Sequence, residues 1–386
     1  MTDSRKLVVS FSSCNFLFSF TSWMVFYYLP LYLKNLGLPD ERIGILIGVF
    51  SLTTLFLVAF FGLLSDKFSP RRLLQLGVVL FLVCLSGLYF LPAFINIFIL
   101  LIIGGSGSTL YLVSLYSLYY KHLKLKRRGK SIGMFFLSAH FGFGLGPLLG
   151  GFISRYGSGA VIFAVGAGIM FLLFLITFAL PDTAPLRFSL AKYKNDLKRK
   201  EVFLLVLIVF IMGIHFGAER VTNSLFMRED IGLTIWQIGQ IFFFLGIWLG
   251  IFSLISGHLF DRNKGTIVLL SLGLFLSGGF QILTSLADSY LSMLLIRLAH
   301  TVGDAFIILS LGLLVSFLFP HKRMGGNFGF LVTVRTGGMF LGALISGILN
   351  GNFGYKPSFI FSGLLVVFLS LYLFPRRRIF DRVLSG

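Results

Sequence analysis

The chain alternates long apolar runs with short polar segments along its whole length. A membrane-spanning α-helix needs about 20 consecutive, mostly apolar residues. Twelve runs approach or reach that length, and they cover residues 7–33, 42–64, 73–94, 96–120, 131–153, 160–180, 202–226, 235–257, 266–286, 291–318, 327–349 and 357–375. We number them span 1 to span 12. They predict an all-α membrane protein with twelve transmembrane helices.

The composition favours a membrane protein over a water-soluble one. The 386 residues are 56% hydrophobic and 12% charged, with a mean hydropathy of +0.93, whereas soluble domains carry about 25% charged residues. The net charge of +19 would suit a nucleic-acid ligand, but nucleic-acid-binding proteins place their basic residues on a solvated face. Here Lys and Arg stand in short clusters between apolar runs, so we expect no nucleic-acid partner.

The basic residues gather on one side of the predicted membrane. Of the 33 Lys and Arg residues, 25 lie in the N-terminus, the even-numbered loops and the C-terminus. By the positive-inside rule both termini are therefore expected in the cytoplasm, with the basic loops against anionic lipid. The expected assembly is a monomer in the cell membrane, inner or plasma.

The sequence gives no indication of a metal, a cofactor or an enzymatic activity. Cys14 and Cys84 both lie in apolar runs and lack the His or Cys spacing of a zinc site. The chain contains no HExxH, GxSxG or paired-aspartate pattern of the kind found in hydrolytic enzymes. We therefore expect no metal, no cofactor and no enzymatic activity.

An internal repeat divides the chain. Residues 38–67 and 233–262 align without a gap at an offset of 195, which pairs Gly44 with Gly239. The repeat and the basic segment between its copies predict three regions: a six-helix half at residues 1–180, a cytoplasmic linker at 181–201 and a second six-helix half at 202–386.

The loop after span 2, GLLSDKFSPRR, resembles the signature loop of the major facilitator superfamily, and GHLFDRNKG after span 8 resembles its degenerate second copy. The matching residues are Gly62, Asp66, Lys67, Arg71 and Arg72 in the first loop and Gly257, Asp261 and Arg262 in the second. Ser69 departs from the family pattern, which has glycine there, and Pro70 follows it. The resemblance implies a twelve-helix fold of two pseudo-symmetric halves, with this loop as a conformational switch that stabilises the outward-facing state.

Span 5 contains GFGLGPLLGG, with five glycines and a proline, although both residue types weaken helices. Its spacing resembles the antiporter signature of the same family at Gly133, Gly142, Gly146, Pro147, Gly150 and Gly151. Three of these glycines form a stripe that suits close helix packing, and the proline predicts a bend. At an offset of 196 the glycines recur in span 11, where Gly347 matches Gly151. We expect the motif to lie where the two halves meet.

Ionisable residues inside the spans are concentrated in the second half. A charge at the bilayer centre costs about 2.5–3.5 kcal/mol on insertion scales, so such residues are functional by default. The acids that qualify are Glu219 in span 7 and Asp304 in span 10, and we expect one of them to bind a coupling proton. The alternative is a permanent ion pair with arginine that only holds helices together. Candidates for the substrate cavity are Arg220, Arg297, His215, Asn223, His300, Tyr27 and Asn15.

Two transport functions fit these features. The span 5 signature implies proton-coupled export of a lipophilic or amphipathic compound, driven by the proton gradient rather than by a cofactor. Spans 1 and 4 contain no Asp, Glu, Lys, Arg or His, which departs from the drug antiporters of the family. This departure keeps open the proton-coupled uptake of a small organic anion or sugar. A non-transporting sensor or scaffold is the third alternative. The expected partners of a transporter are a small-molecule substrate, protons and the lipid bilayer.

Overall fold

The structure is a computed structural model that describes residues 3–122, 128–156, 159–182, 199–263, 266–319 and 324–376. Within these ranges the chain forms thirteen α-helices and a short 3₁₀ helix, and it contains no β-strand. The α-helices are α1 (Asp3–Phe26), α2 (Leu29–Asn35), α3 (Asp40–Lys67), α4 (Pro70–Phe90), α5 (Phe94–His122), α6 (Arg128–Tyr156), α7 (Val161–Thr177), α8 (Lys200–Glu229), α9 (Ile235–Asn263), α10 (Thr266–Thr284), α11 (Tyr290–Leu318), α12 (Met324–Phe353) and α13 (Lys356–Leu373). The predicted all-α fold is confirmed.

Each predicted span coincides with helical structure. Span 1 consists of α1 and α2, which are separated by a turn at Tyr27 and Tyr28, and spans 2 to 12 correspond in order to α3 to α13. In the described ranges, ten spans have the length and hydropathy of a membrane-crossing helix. The other two are α7, with 17 residues, and the glycine-rich α6. Helices suit the bilayer because they satisfy their backbone polar groups internally.

The first of two compact units contains the described residues within Met1–Gly37, Val49–Phe188 and Thr234–Gly246. In this unit α1 packs against α6 and α7, and α4 packs against α5 and α7. Its centre is aromatic, since the fully buried Tyr111 stacks on Phe18 with 4.2 Å between ring centroids. Burying large aromatic side chains contributes strongly to such a core.

The second unit contains the described residues within Leu38–Gly48, Ser189–Leu233 and Ile247–Gly386. In this unit α8 packs against α12 and α13, and α10 packs against α11 and α13. Four helix pairs of the first unit have a counterpart in the second. Numbered by span, 1 with 5 corresponds to 7 with 11, 1 with 6 to 7 with 12, 3 with 4 to 9 with 10, and 3 with 6 to 9 with 12. The same pairing in both units is what pseudo-symmetric halves require, so this part of the predicted fold is also confirmed.

The glycine stripe of α6 allows the backbone of α1 to approach closely. A Cβ placed on Gly142 would lie 2.6 Å from the main-chain nitrogen of Phe20, and one on Gly150 would lie 2.7 Å from the ring of Tyr28. Gly338 of α12 makes the equivalent contact with the backbone of α8. Each stripe thus packs within its own half of the chain. Within the span 5 motif it is Gly151 that meets the second half of the chain, at Gly239 of α9.

Glycines that the repeat matches make the same contact in both units. In the first unit a Cβ on Gly151 of α6 would lie 3.3 Å from the Cα atom of Gly239 on α9. In the second unit a Cβ on Gly347 of α12 would lie 2.8 Å from the Cα atom of Gly44 on α3. Larger residues at these positions would separate the two backbones, so the recurrence of these glycines has a packing cause.

Candidate functional site

Five side chains that the sequence singled out lie together inside the second unit. Helix α8 contributes His215 and Glu219, and α11 contributes Arg297, His300 and Asp304. Spacings of three, four and seven residues place side chains on one face of a helix, and here the two faces meet. We call these five residues the charge cluster.

Arg297 holds Glu219 in an ion pair. Its Nη2 atom lies 2.6 Å from Oε1 of Glu219, and the arginine side chain is only 5% exposed. Its Nη1 atom donates a hydrogen bond to Oε1 of Gln281 on α10 at 2.7 Å. Gln281 in turn donates from Nε2 to the hydroxyl of Ser362 on α13 at 3.1 Å. The sequence did not single out Gln281 or Ser362, because neutral polar residues within a span carry little signal.

His300 lies between the two acids. Its Nδ1 atom is 2.8 Å from the carbonyl oxygen of Ser277 on α10. Its Nε2 atom is 3.2 Å from Oε1 of Glu219 and 3.2 Å from Oδ2 of Asp304. The hydroxyl of Ser277 also donates to Oδ1 of Asp304 at 2.8 Å. Ser277 therefore fixes both the imidazole ring and one carboxylate, a role that its sequence position did not reveal.

His215 completes the cluster and is fully buried. Its Nε2 atom lies 3.8 Å from Oε1 of Glu219, and its ring centroid lies 5.3 Å from that of His300. Neither ring nitrogen has a hydrogen-bond partner in the part of the chain that the structure describes. Compared with His300, this ring has no polar group that fixes its orientation.

The ligand atoms of His215, His300 and Asp304 lie within 4.8 Å of one another, a separation at which metal binding has to be considered. The Arg297 guanidinium already places a positive charge on the adjacent Glu219 oxygen. A divalent cation at this point would be repelled by that guanidinium. The residues fit internal charge pairing better than metal binding, and the expected lack of a metal stays a prediction.

The remaining polar candidates lie outside the charge cluster. Asn15 on α1 is buried and donates from Nδ2 to the carbonyl of Phe135 on α6 at 2.8 Å, which ties these two helices together. Asn223 is buried on α8, and its Oδ1 atom has no hydrogen-bond partner among the described residues. Arg220 is partly buried on the same helix. Substrate contacts by these residues stay predictions.

Tyr27 belongs to a group of four rings in the first unit, which we call the aromatic cluster. Its ring stacks on Phe242 of α9 and on Trp23 of α1, with centroid distances of 3.5 and 5.3 Å. Phe143 of α6 meets Trp23 edge-on at 4.9 Å. Phe242 is buried, whereas the other three rings are partly exposed. These rings offer a surface that suits a flat apolar molecule.

Tyr28, next to Tyr27 in the chain, links α6 and α9. Its hydroxyl donates to the carbonyl of Pro147 at 2.8 Å and lies 3.5 Å from the carbonyl of Ile235. A Cβ on Gly151 would lie 2.8 Å from this hydroxyl, and one on Gly239 would lie 2.7 Å from it. The two glycines therefore make room for the tyrosine as well as for each other.

Replacing Tyr28 with phenylalanine should lower the free energy of unfolding by about 1 kcal/mol, because a buried hydrogen bond is lost. Thermal unfolding of the purified protein in detergent measures this change. Tyr156→Phe, in an exposed position on α6, is the matched control and should leave stability unchanged. Equal stability of Tyr28→Phe and the parent would show that the hydroxyl bond contributes nothing.

The two predicted switch loops are only partly described. Six of these residues have a helical main chain, namely Gly62, Asp66 and Lys67 in α3 and Gly257, Asp261 and Arg262 in α9. Their side-chain surroundings lie outside the described residues, as do those of Gly133 in α6. Arg71 is described, and its Nη1 atom donates to the carbonyl of Leu180 at 3.1 Å.

Ser69, which departs from the family pattern, caps helix α4. Its hydroxyl accepts a hydrogen bond from the main-chain N–H of Arg72 at 3.2 Å, as serine does at many helix starts. Pro70 occupies the first position of α4, where its missing N–H leaves no helical bond unmade. The serine and proline together thus define the start of the helix.

Comparisons with known proteins agree with this architecture. The profile of the Major Facilitator Superfamily matches residues 11–286 and 205–385. Multidrug resistance protein 2 of Bacillus subtilis (strain 168) is 26% identical over 358 residues, covering 88% of this chain and 87% of its own. Quinolone resistance protein NorA of Staphylococcus aureus (strain MSSA476) is 24% identical over 326 residues, covering 83% and 84%. A crystal structure of a nucleoside transporter NupG variant superposes with a TM-score of 0.81 at 14% identity, covering 96% of this chain and 99% of that one.

The profile spans most of the chain, and the structural similarity independently shows the same fold. The resemblance to this family is therefore confirmed. The apolar helices have the length that a multi-pass membrane protein requires. The chain belongs to the Major Facilitator Superfamily, and it is a multi-pass membrane transporter and not an enzyme.

Proposed function

We propose that this transporter exports lipophilic or amphipathic small molecules in exchange for protons, with the coupling proton bound in the charge cluster because of its two acids, Glu219 and Asp304. The observation that carries the proposal is the charge cluster, in which acids from two membrane helices are held beside one arginine. Two carboxylates and one guanidinium leave one negative charge unbalanced. One bound proton neutralises the cluster.

Charge balance couples proton binding to conformation in this proposal. An uncompensated charge buried among apolar helices costs several kcal/mol. The protonated cluster therefore tolerates burial, whereas the deprotonated cluster favours a conformation in which water or a cationic substrate reaches it. Proton uptake from one side of the membrane and release to the other then shift the equilibrium between the two conformations.

The aromatic cluster supports a flat, apolar substrate. Trp23, Tyr27 and Phe143 are partly exposed aromatic residues that carry no formal charge, and aromatic rings bind such molecules by stacking and apolar contact. The names of two relatives, Multidrug resistance protein 2 and Quinolone resistance protein NorA, point to drug resistance and agree with export. With both termini in the cytoplasm and the protein in the plasma membrane, export would remove such compounds from the cell.

The competing function, proton-coupled uptake of a small organic anion or sugar, gains less support from the site. An anion needs a cation that is available to it. Arg297, the arginine of the charge cluster, is held by Glu219 and by Gln281. Its guanidinium thus acts within the protein as the partner of a carboxylate, which favours export.

The direction of coupling can be tested in proteoliposomes with a pH gradient of either sign. A permanently charged aromatic cation is the probe, because weak bases enter an acidic lumen without a transporter. Accumulation into vesicles with an acidic lumen supports exchange for protons. Accumulation only when the exterior is acidic would instead establish symport and overturn the proposal. Vesicles without protein give the background.

Glu219→Gln and Asp304→Asn should each abolish proton-driven accumulation of the probe while substrate exchange remains measurable, because the one remaining carboxylate is already balanced by Arg297 and the cluster then has no need of a proton. Glu229→Gln is the matched control, since it makes the same change at an exposed position on the same helix. It should transport like the parent. Uphill transport by both cluster variants would rule out these carboxylates.

A further inference from the structure

We infer that His300 holds the transported proton, on its Nε2 atom between the carboxylates of Glu219 and Asp304. This inference rests on the proposed proton coupling. It places the proton on an imidazole ring that contacts one acid from each of two helices, rather than on one carboxyl group.

Hydrogen-bond roles around the ring carry the argument. The carbonyl of Ser277 is an acceptor, so Nδ1 at 2.8 Å from it must carry a hydrogen. In a neutral ring Nε2 would then expose only a lone pair. That lone pair would face Glu219 and Asp304 oxygens, each 3.2 Å away. Three acceptors would then meet without a hydrogen between them, which is unfavourable.

A proton on Nε2 resolves this conflict better than a proton on either acid. A protonated carboxyl group could donate to Nε2, but the oxygen of the other acid would still lie 3.2 Å from that nitrogen with no hydrogen between the two atoms. An N–H on Nε2 has a carboxylate oxygen of each acid within 3.2 Å, so the positive ring meets both negative groups. Nε2 has no formed hydrogen bond among the described side chains, so this interaction is one of opposite charges.

The charges around His300 also balance in this state. Helix α8 presents Glu219 and His215, and α11 presents Arg297 and Asp304. Helix α10 presents the uncharged Ser277. An imidazolium and a guanidinium against two carboxylates give zero net charge with His215 neutral. His215 lies 3.8 Å from one acid and lacks a polar anchor, so it is the weaker candidate for the proton.

Loss of this proton would act on the contact between two helices. Helix α8 packs mainly on α12 and α13, and α11 packs mainly on α10. The charge cluster thus supplies the described ion pairs that join α8 to α11. When Nε2 releases its proton, Glu219 and Asp304 lose the positive charge between them. The pair of helices is then expected to loosen, which gives protonation a mechanical effect.

Nitrogen NMR of the protein in lipid nanodiscs, with ¹⁵N-labelled histidine, tests the location of the proton. The chain has six histidines, and the signals missing from His300→Gln identify those of His300. At neutral pH we expect both ring nitrogens of His300 to carry hydrogen. A neutral ring, with hydrogen on Nδ1 alone, would place the proton on a carboxyl group and overturn the inference.

Transport by the same variant separates this inference from the proposed function. His300→Gln should lose uphill transport and reach equal probe concentrations on both sides, whereas His122→Gln, the matched control at the end of α5 and outside the charge cluster, should retain a gradient. If His300→Gln still transports uphill while Glu219→Gln does not, the role of His300 fails and the proposed coupling stands. If both acid variants also transport uphill, the proposed function itself fails.

Discussion

Replacing Arg297 with methionine should lower the free energy of unfolding by about 3–5 kcal/mol, the cost typical of removing one partner from a buried ion pair. Arg297 is almost fully buried, lies 2.6 Å from Glu219 and donates to Gln281. Methionine can fill much of the space but leaves the carboxylate without its main counter-charge. The two cysteines of the chain are buried, so a thiol-reactive dye reports unfolding of the purified protein on heating.

A second change at Glu219 should rescue that variant. Arg297→Met combined with Glu219→Gln removes both charges, so the double variant should be more stable than Arg297→Met alone. Arg155→Met is the control, because this arginine is exposed at the end of α6, outside span 5, and exposed pairs contribute about 0–1 kcal/mol. If Arg297→Met unfolds at the parent temperature, the pair does not stabilise the fold.

A single methyl group on the glycine stripe should have the second-largest effect. In Gly142→Ala the added Cβ would lie 2.6 Å from the main-chain nitrogen of Phe20 and 2.7 Å from Cβ of Ser19. Backbone atoms of α1 cannot rotate away as a flexible side chain would, so the helices must separate. Overpacking of this kind costs about 1–3 kcal/mol, and the same thermal measurement detects it.

The same substitution in open space should have the opposite sign. Gly168 lies on α7, is exposed, and has nothing within 4 Å of an added Cβ. Gly168→Ala should therefore raise stability by up to about 1 kcal/mol, since alanine is the better helix former. If both variants shift stability in the same direction, the close approach of α1 and α6 is not what selects glycine at position 142.

Part of the candidate site could be predicted from the sequence because charge is rare inside a membrane. Glu219, Arg297 and Asp304 stand out in apolar spans, where each charge is costly, and helical spacing placed them on defined faces. Gln281 and Ser277 did not stand out. Their roles depend on which side chain lies opposite, the Arg297 guanidinium for Gln281 and the His300 ring for Ser277, and the local sequence holds no information about that.

The glycine motif of span 5 could also be interpreted only in part from the sequence. Its stripe could be predicted from spacing, but the partner of each glycine could not: Gly142 and Gly150 face α1 and Tyr28. Gly151, one residue further along, faces α9 instead. Neighbouring residues on a helix point in different directions, so this short motif contacts two different helices, α1 and α9.

The sequence by itself determined the number of helices, their order and their repeat, because bilayer thickness and backbone hydrogen bonding constrain every span locally. Only the tertiary structure decided that His300 lies between Glu219 and Asp304 and that Ser277 orients it. Those contacts join residues of three helices that are distant along the chain. Their distances follow from how α8, α10 and α11 pack, and no property of a single helix specifies that packing.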